Sequence, residues 1–240
     1  MIIDFHCHVG EDIDGAKQNL KDLARNMKKL GITKAVIFPF KEKEDGPVLS
    51  SIKLLKLIEK KKQFIPFLRF NPDRMTPEKL QNLIDIGFKG VKLHPKSENF
   101  DPLKKKHIIL YKIIARNNLP LLIHTKRYHN YLTDPERLCK IAKMVPELNI
   151  ILAHFADAQP IVFHKVAKYP NLYVESSLKS SSYTIKKMVE NGGSHKLLFG
   201  SDSPYMDTEV ELLKLKKLDI PKEDKDNILF GNAKRLLGLK

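Results

Sequence analysis

The sequence predicts an α/β protein: a single, slightly distorted (β/α)₈ barrel over residues 1–240. Three observations predict it. Eight short apolar segments recur at fairly even spacing, as parallel strands buried on both faces do. The stretches between them have helical period and helical punctuation. Polar residues capable of chemistry stand at the ends of many different strands, and only a barrel brings those ends to one mouth. An open doubly wound sheet would leave its first and last strands too far apart. A compact barrel needs roughly 200–250 residues, and the chain has 240.

The first strand is Ile2–His8. A helix follows over Ala16–Leu30, where Leu20, Leu23, Ala24, Met27 and Leu30 form one apolar face and Gly31 is the stop signal. The second and third strands are Ala35–Phe40 and Phe64–Phe70. Thr76-Pro77-Glu78 opens the next helix with a capping hydroxyl before a proline at the first helical position, and Gly87 ends it. Strand four is Gly90–His94. Asp101-Pro102 is expected to open a helix by the same device, as is Asp134-Pro135-Glu136 after strand five, Pro120–Thr125. Strands six to eight are Asn149–His154, Asn171–Ser176 and Lys196–Asp202, with Gly192 expected to end the helix before the last. No low-complexity linker interrupts the series.

Hydrophobic residues make up 42% and charged residues 30%, which suits a sizeable core under a solvated surface. No apolar run approaches the ~20 residues of a membrane span. Strand and motif begin so early that no targeting segment is expected before them, and a cytoplasmic location is anticipated. Cys7 and Cys139 form no CxxC pair and read as two free buried thiols. The net charge of +15 raises nucleic-acid binding as an alternative. The lysines, however, are spread over nearly every helix, in pieces such as Lys60-Lys61-Lys62 and Lys104-Lys105-Lys106, with no aromatic-interleaved stripe. They read as solvated faces whose overall field favours anionic small molecules. A small-molecule substrate is therefore expected, with no nucleic acid or membrane partner; a homo-oligomer is left open.

The chemistry begins at Asp4-Phe5-His6-Cys7-His8. Strand alternation would put Asp4, His6 and His8 on one face and Phe5 and Cys7 on the other, so Cys7 is expected to pack against the helix layer. Two inward histidines at i, i+2 can chelate one cation. His124 ends strand five, His154 ends strand six, and Asp202 ends strand eight behind Gly200 and Ser201. On strand four, Lys92 and His94 share a face. If inward, Lys92 can bind an anion, become a metal-bridging carbamate, or pair with a carboxylate such as Glu175, which could instead orient a ligand. Arg69, Lys96, Lys126, Arg127 and His129 follow strand ends, where a barrel builds its pocket. Arg69 or Arg127 would give a carboxylate a forked contact.

Taken together these motifs resemble the amidohydrolase superfamily, within it the amidohydrolase-related (amidohydrolase 2) branch of TIM-barrel metal-dependent hydrolases and decarboxylases. The resemblance runs from Asp4–His8 through Gly90–Pro95, His124, Ala153-His154 and Gly200–Pro204 to Gly231–Leu237. It implies His6, His8 and His124 as metal ligands and Asp202 as ligand or proton acceptor. His154 would polarise the substrate or move a proton in a one-metal site. In a two-metal site it would hold the second ion, with Lys92 carboxylated between them. The donor set suits Zn²⁺, with Mn²⁺ or Fe²⁺ as substitutes. Hydrolysis of an amide or lactone bond in a small, anionic substrate is the expected reaction, and decarboxylation of a small unsaturated or aromatic acid the alternative.

Overall fold

The structure, a computed structural model, describes residues 1–41, 45–127, 131–178 and 180–239. The chain alternates strand and helix throughout: β1 (Ile3–Glu11), β2 (Lys17–Gln18), α1 (Leu20–Leu30), β3 (Lys34–Pro39), α2 (Pro47–Leu57), β4 (Phe64–Pro66), β5 (Leu68–Arg69), α3 (Pro77–Asp85), β6 (Val91–Leu93), α4 (Ile108–Arg116), β7 (Leu121–Ile123), α5 (Pro135–Met144), β8 (Ile150–Leu152), α6 (Pro160–Lys168), β9 (Leu172–Glu175), α7 (Ser182–Gly192), β10 (Leu197–Leu198), α8 (Thr208–Lys216), α9 (Lys222–Asp226) and α10 (Asn232–Leu236). Apart from β2, which pairs antiparallel with the end of β1, neighbouring strands are parallel.

The architecture is the expected (β/α)₈ barrel. Strand three is split at Phe67 into β4 and β5: β4 pairs with β3, and β5 pairs with β6. Across this seam Phe67 N donates to Ile37 O at 2.9 Å and Leu68 N to Gly90 O at 2.9 Å. On the other side, Phe5 N donates to Phe199 O at 2.9 Å and His8 N to Ser203 O at 2.8 Å, joining the last strand to the first.

Helix punctuation is largely as read. Gly31 takes the left-handed conformation that ends α1, with φ 74°. Thr76 and Asp134 cap α3 and α5 by accepting the amides of Lys79 and Arg137, each before a proline. Asp101 is different. Its carboxylate accepts the amide of Leu103 in a turn, and α4 starts only at Ile108. The cap at the end of α7 is Gly193, one residue beyond the expected Gly192.

Two apolar layers hold the barrel. Between strands and helices lie Cys7, Ile37, Val91, Ile123, Leu152 and their neighbours. Inside the barrel lie Ile3, Phe5, Val36, Phe38, Phe67, Leu122, Ile151 and Leu198, with Ala233 and Leu236 of α10. The expected alternation on β1 fails at one point. Its register against β3 shifts between Asp4 and Cys7, and a bulge of this kind moves side chains to the opposite face. Phe5 is therefore interior, packing edge-on against Phe67 at 5.5 Å, whereas Cys7 faces the helices. Asp4 instead binds backbone, accepting Ser201 N at 2.9 Å and His6 N at 3.1 Å. Both cysteines are free and buried. No helix among the described residues is long and apolar enough to cross a membrane.

Candidate metal centre at the barrel mouth

The bulge turns His6 and His8 into the barrel above Phe5. Asp202, in the left-handed conformation with φ 57°, brings its carboxylate from the end of the neighbouring last strand. Oδ1 lies 3.1 Å from His6 Nε2 and 3.2 Å from His8 Nε2; Oδ2 lies 3.8 Å from His154 Nδ1. Ligand atoms of His6, His154 and Asp202 fall within 4.8 Å of one another, and all three residues are buried. His124 stands one step further out: its Nδ1 is 2.9 Å from His154 Nε2, and its ring stacks on His94 at 3.7 Å.

The residues fit a divalent ion on chemical grounds. Glu175 Oε1 accepts from His6 Nδ1 at 2.9 Å, which fixes the proton on Nδ1 and leaves Nε2 a lone pair. That lone pair faces Asp202 Oδ1, another acceptor, at 3.1 Å, and Lys92 Nζ, 3.0 Å from the same nitrogen, is the cation beside them. Burial pushes His6, His8, His94 and His124 well below the ordinary imidazole range, and His154 down to about 4. These are neutral imidazoles, the form that ligates. His8 Nδ1 is buried without a hydrogen-bond partner.

Lys92 faces inward, as its register with Leu122 requires. Its Nζ lies 3.0 Å from His6 Nε2 and 4.8 Å from the centre of the Phe38 ring. Burial lowers its pKa to about 7, against the attraction of Asp202 and Glu175. Glu175 contacts His6, with which Lys92 shares its own hydrogen bond.

His154 sits at the start of a left-handed turn, His154–Ala158, whose φ values run from 49° to 56°. Such backbone costs roughly 1–2 kcal/mol per non-glycine residue. Here it is pinned by His154 N to Glu175 Oε1 at 2.7 Å and by Arg127 N to Asp157 Oδ2 at 3.0 Å.

A cavity of about 650 Å³ opens above these groups, lined among others by Phe40, Tyr205, Lys41, Lys96 and Lys126. A larger groove, about 870 Å³, lies outside the barrel between α2 and α3 and contains no histidine. The chemistry, not the volume, identifies the mouth. Arg69 reaches that cavity, but its guanidinium is already held by Glu98 at 2.9 Å, Ser97 Oγ at 2.9 Å and Pro39 O at 3.1 Å. Arg127 is exposed and bonded to Gln159, outside the lining of this cavity. His129 lies outside the described residues.

Sequence reasoning did not single out Tyr205, Lys41 or Ser177. Tyr205 stacks edge-on against His8 at 5.3 Å, and its hydroxyl donates to Asp12. Lys41 directly follows strand two, so the rule that selected Lys96 and Lys126 would have found it. Ser177 carried no signal.

A family model described as Amidohydrolase matches residues 3–239, and the chain belongs to that family. No curated protein matches the chain. Among solved structures it is similar to a 5-carboxyvanillate decarboxylase from Sphingomonas paucimobilis, with 12% identity, a TM-score of 0.80, and coverage of 100% of this chain and 99% of the other. It is also similar to a Pseudomonas putida protein assigned as a 2-pyrone-4,6-dicarboxylic acid hydrolase (16% identity, TM-score 0.77, 99% and 97% covered). A third is a dihydroxybenzoic acid decarboxylase from Polaromonas sp. JS666, solved with manganese and the inhibitor 2-nitroresorcinol (15% identity, TM-score 0.78, 99% and 96% covered). At these identities the likeness shows the fold.

Proposed function

We propose that this amidohydrolase-family chain, folded as one catalytic domain over 1–240, is a cytoplasmic metal-dependent hydrolase that cleaves an amide or lactone bond in a small anionic substrate. The observation that carries the reading is the divided carboxylate of Asp202: Oδ1 faces the two first-strand histidines, and Oδ2 faces His154. His6, His8, His124 and Asp202 would hold the ion, Zn²⁺ in the first instance, with Mn²⁺ supported by the manganese of a structural relative. An ion held there would supply the activation of a water and the polarisation of a carbonyl. Asp202 accepts the proton of the attacking water and returns it to the leaving nitrogen or oxygen. His154, kept neutral by burial, relays that proton. The amine of Lys92, unmodified beside a single ion, and the ring of His94 face the reacting group. Lys96 and Lys126 at the rim meet the substrate's negative charge, the fork of Arg69 being engaged with Glu98.

Decarboxylation is the second reading, favoured by the decarboxylases among the structural relatives. A screen of lactones, amides and carboxylic acids separates the two. Ring opening or amine release without CO₂ supports hydrolysis, whereas CO₂ release from an unsaturated or aromatic acid replaces it with the lyase. A carboxylated Lys92 with two ions per chain would overturn the single-ion assignment.

A further inference from the structure

We propose that Glu175 is a positioning residue that sets the tautomers of three mouth histidines at once, and so selects which ring nitrogens face the metal. The inference rests on the metal-centre reading above. Two chains of hydrogen bonds end on this one carboxylate. In the first, His6 Nδ1 donates to Oε1 at 2.9 Å. In the second, Ser177 Oγ donates to Oε1 at 2.8 Å. A hydroxyl has one proton, so Ser177 Oγ must accept from His154 Nδ1, 3.1 Å away. His154 Nε2 then carries a lone pair and accepts from His124 Nδ1 at 2.9 Å. Read to their ends, both chains leave Nε2 unprotonated: on His6 and on His124, two of the proposed ligands.

The carboxylate can impose this order because every neighbour donates to it. Oε1 also accepts His154 N at 2.7 Å, and Oε2 accepts Ser177 N at 2.7 Å. An ionised carboxylate has no proton to give back. Glu175 is fully buried. A Cβ at Gly200 would lie 2.3 Å from its Oε2, so the glycine before Ser201-Asp202 makes room for it. The same acceptor therefore orients ligands from strands one and five and holds the left-handed residue that ends strand six.

Histidine-labelled protein, freed of metal at neutral pH, gives the test by long-range ¹H–¹⁵N NMR. His6, His124 and His154 are expected to be Nδ1–H tautomers; an Nε2–H tautomer at His6 or His124 would overturn the assignment. In Glu175→Gln the amide can donate as well as accept, so these histidines should lose their single tautomer. Zinc affinity, measured by chelator competition, should fall about 10–100-fold with an unchanged circular dichroism spectrum. Gly200→Ala crowds the carboxylate without removing it and should act in the same direction. Weaker zinc binding with unaltered tautomers would reduce Glu175 to a structural role, and unaltered affinity in a folded variant would exclude it. If the wild-type chain binds no zinc at all, the metal-centre reading fails, while the wild-type tautomers still decide the role of Glu175.

Discussion

At one end of the barrel the inward side chains are Ile3, Phe5, Val36, Leu122, Ile151 and Leu198, closed off by Ala233 and Leu236 of α10. At the other end they are His6, His8, His154 and Asp202, beside Lys92 and Glu175, all buried. The same strands supply both sets, often within three residues. The apolar end lowers the free energy of the fold simply by leaving water. The polar end works against the fold: buried ionisable groups are unfavourable unless paired or bound to metal, and the backbone at Asp202 and at residues 154–158 is left-handed. Groups at the mouth that lower stability, held in place by the packed end, are what a binding site on a rigid scaffold requires.

That contrast can be broken first at Asp202. Asp202→Asn keeps the side-chain size and some ligand capacity, so metal should stay at least partly bound. Turnover of any substrate found by screening should fall about 10²–10⁴-fold, the usual value of general acid–base catalysis, with little loss of thermal stability. Near-normal turnover with metal retained would move the proton acceptor elsewhere, His154 being next.

The opposite signature belongs to the packed end. Ile151→Ala or Leu198→Ala removes a fully buried aliphatic side chain and should destabilise the fold by about 2–5 kcal/mol, read by denaturant unfolding. Zinc affinity of the folded fraction should be unchanged. A variant with intact stability would show that the interior is loosely packed.

Acid sharpens the same comparison in the metal-free chain. His6, His8, His94, His124 and His154 all have folded-state pKa values below 6.5, that of His154 about 4. Between those values the unfolded chain binds more protons, so stability falls as pH drops from about 6.5 towards 4. Asp4, raised to about 6 by burial, opposes this, because its folded form holds the proton more tightly. Glu211 is raised by burial too, but five imidazoles outweigh two carboxyls, and the urea midpoint should decline over that window. A flat profile would mean that the mouth histidines are not buried neutral.

The smallest effect is expected at the rim. Arg127 is exposed and bonded to Gln159, so Arg127→Ala should alter stability by no more than about 0.5 kcal/mol and leave turnover close to wild type. A large rise in KM would restore the forked contact expected from the sequence.

The two ends also differ in how much the sequence revealed. Apolar runs bounded by glycine, proline and capping residues announced the strands and most helices, because burial on both faces and helix capping are local requirements. The histidines at strand ends were visible for the same reason: a polar residue closing an apolar run stands out. What stayed hidden is set by contacts distant in sequence. The bulge that sends Phe5 inward depends on the register of β1 against β3. The capture of Arg69 by Glu98 joins residues 29 apart. Glu175 gathers its donors from 2, 21 and 169 residues away. Phe155 and Ala156, inside the left-handed turn, carry no signal of it, although His154 and Asp157 are of types enriched at positive φ.

The central claim is that the mouth is a metal centre organised by the first strand. It is tested most directly by elemental analysis of the protein purified without chelators, beside the double variant His6→Ala/His8→Ala. About one zinc or similar divalent ion is expected per wild-type chain, by the histidine–carboxylate ligation of such sites, and none in a double variant that remains folded by circular dichroism. The same metal content in both proteins would contradict it.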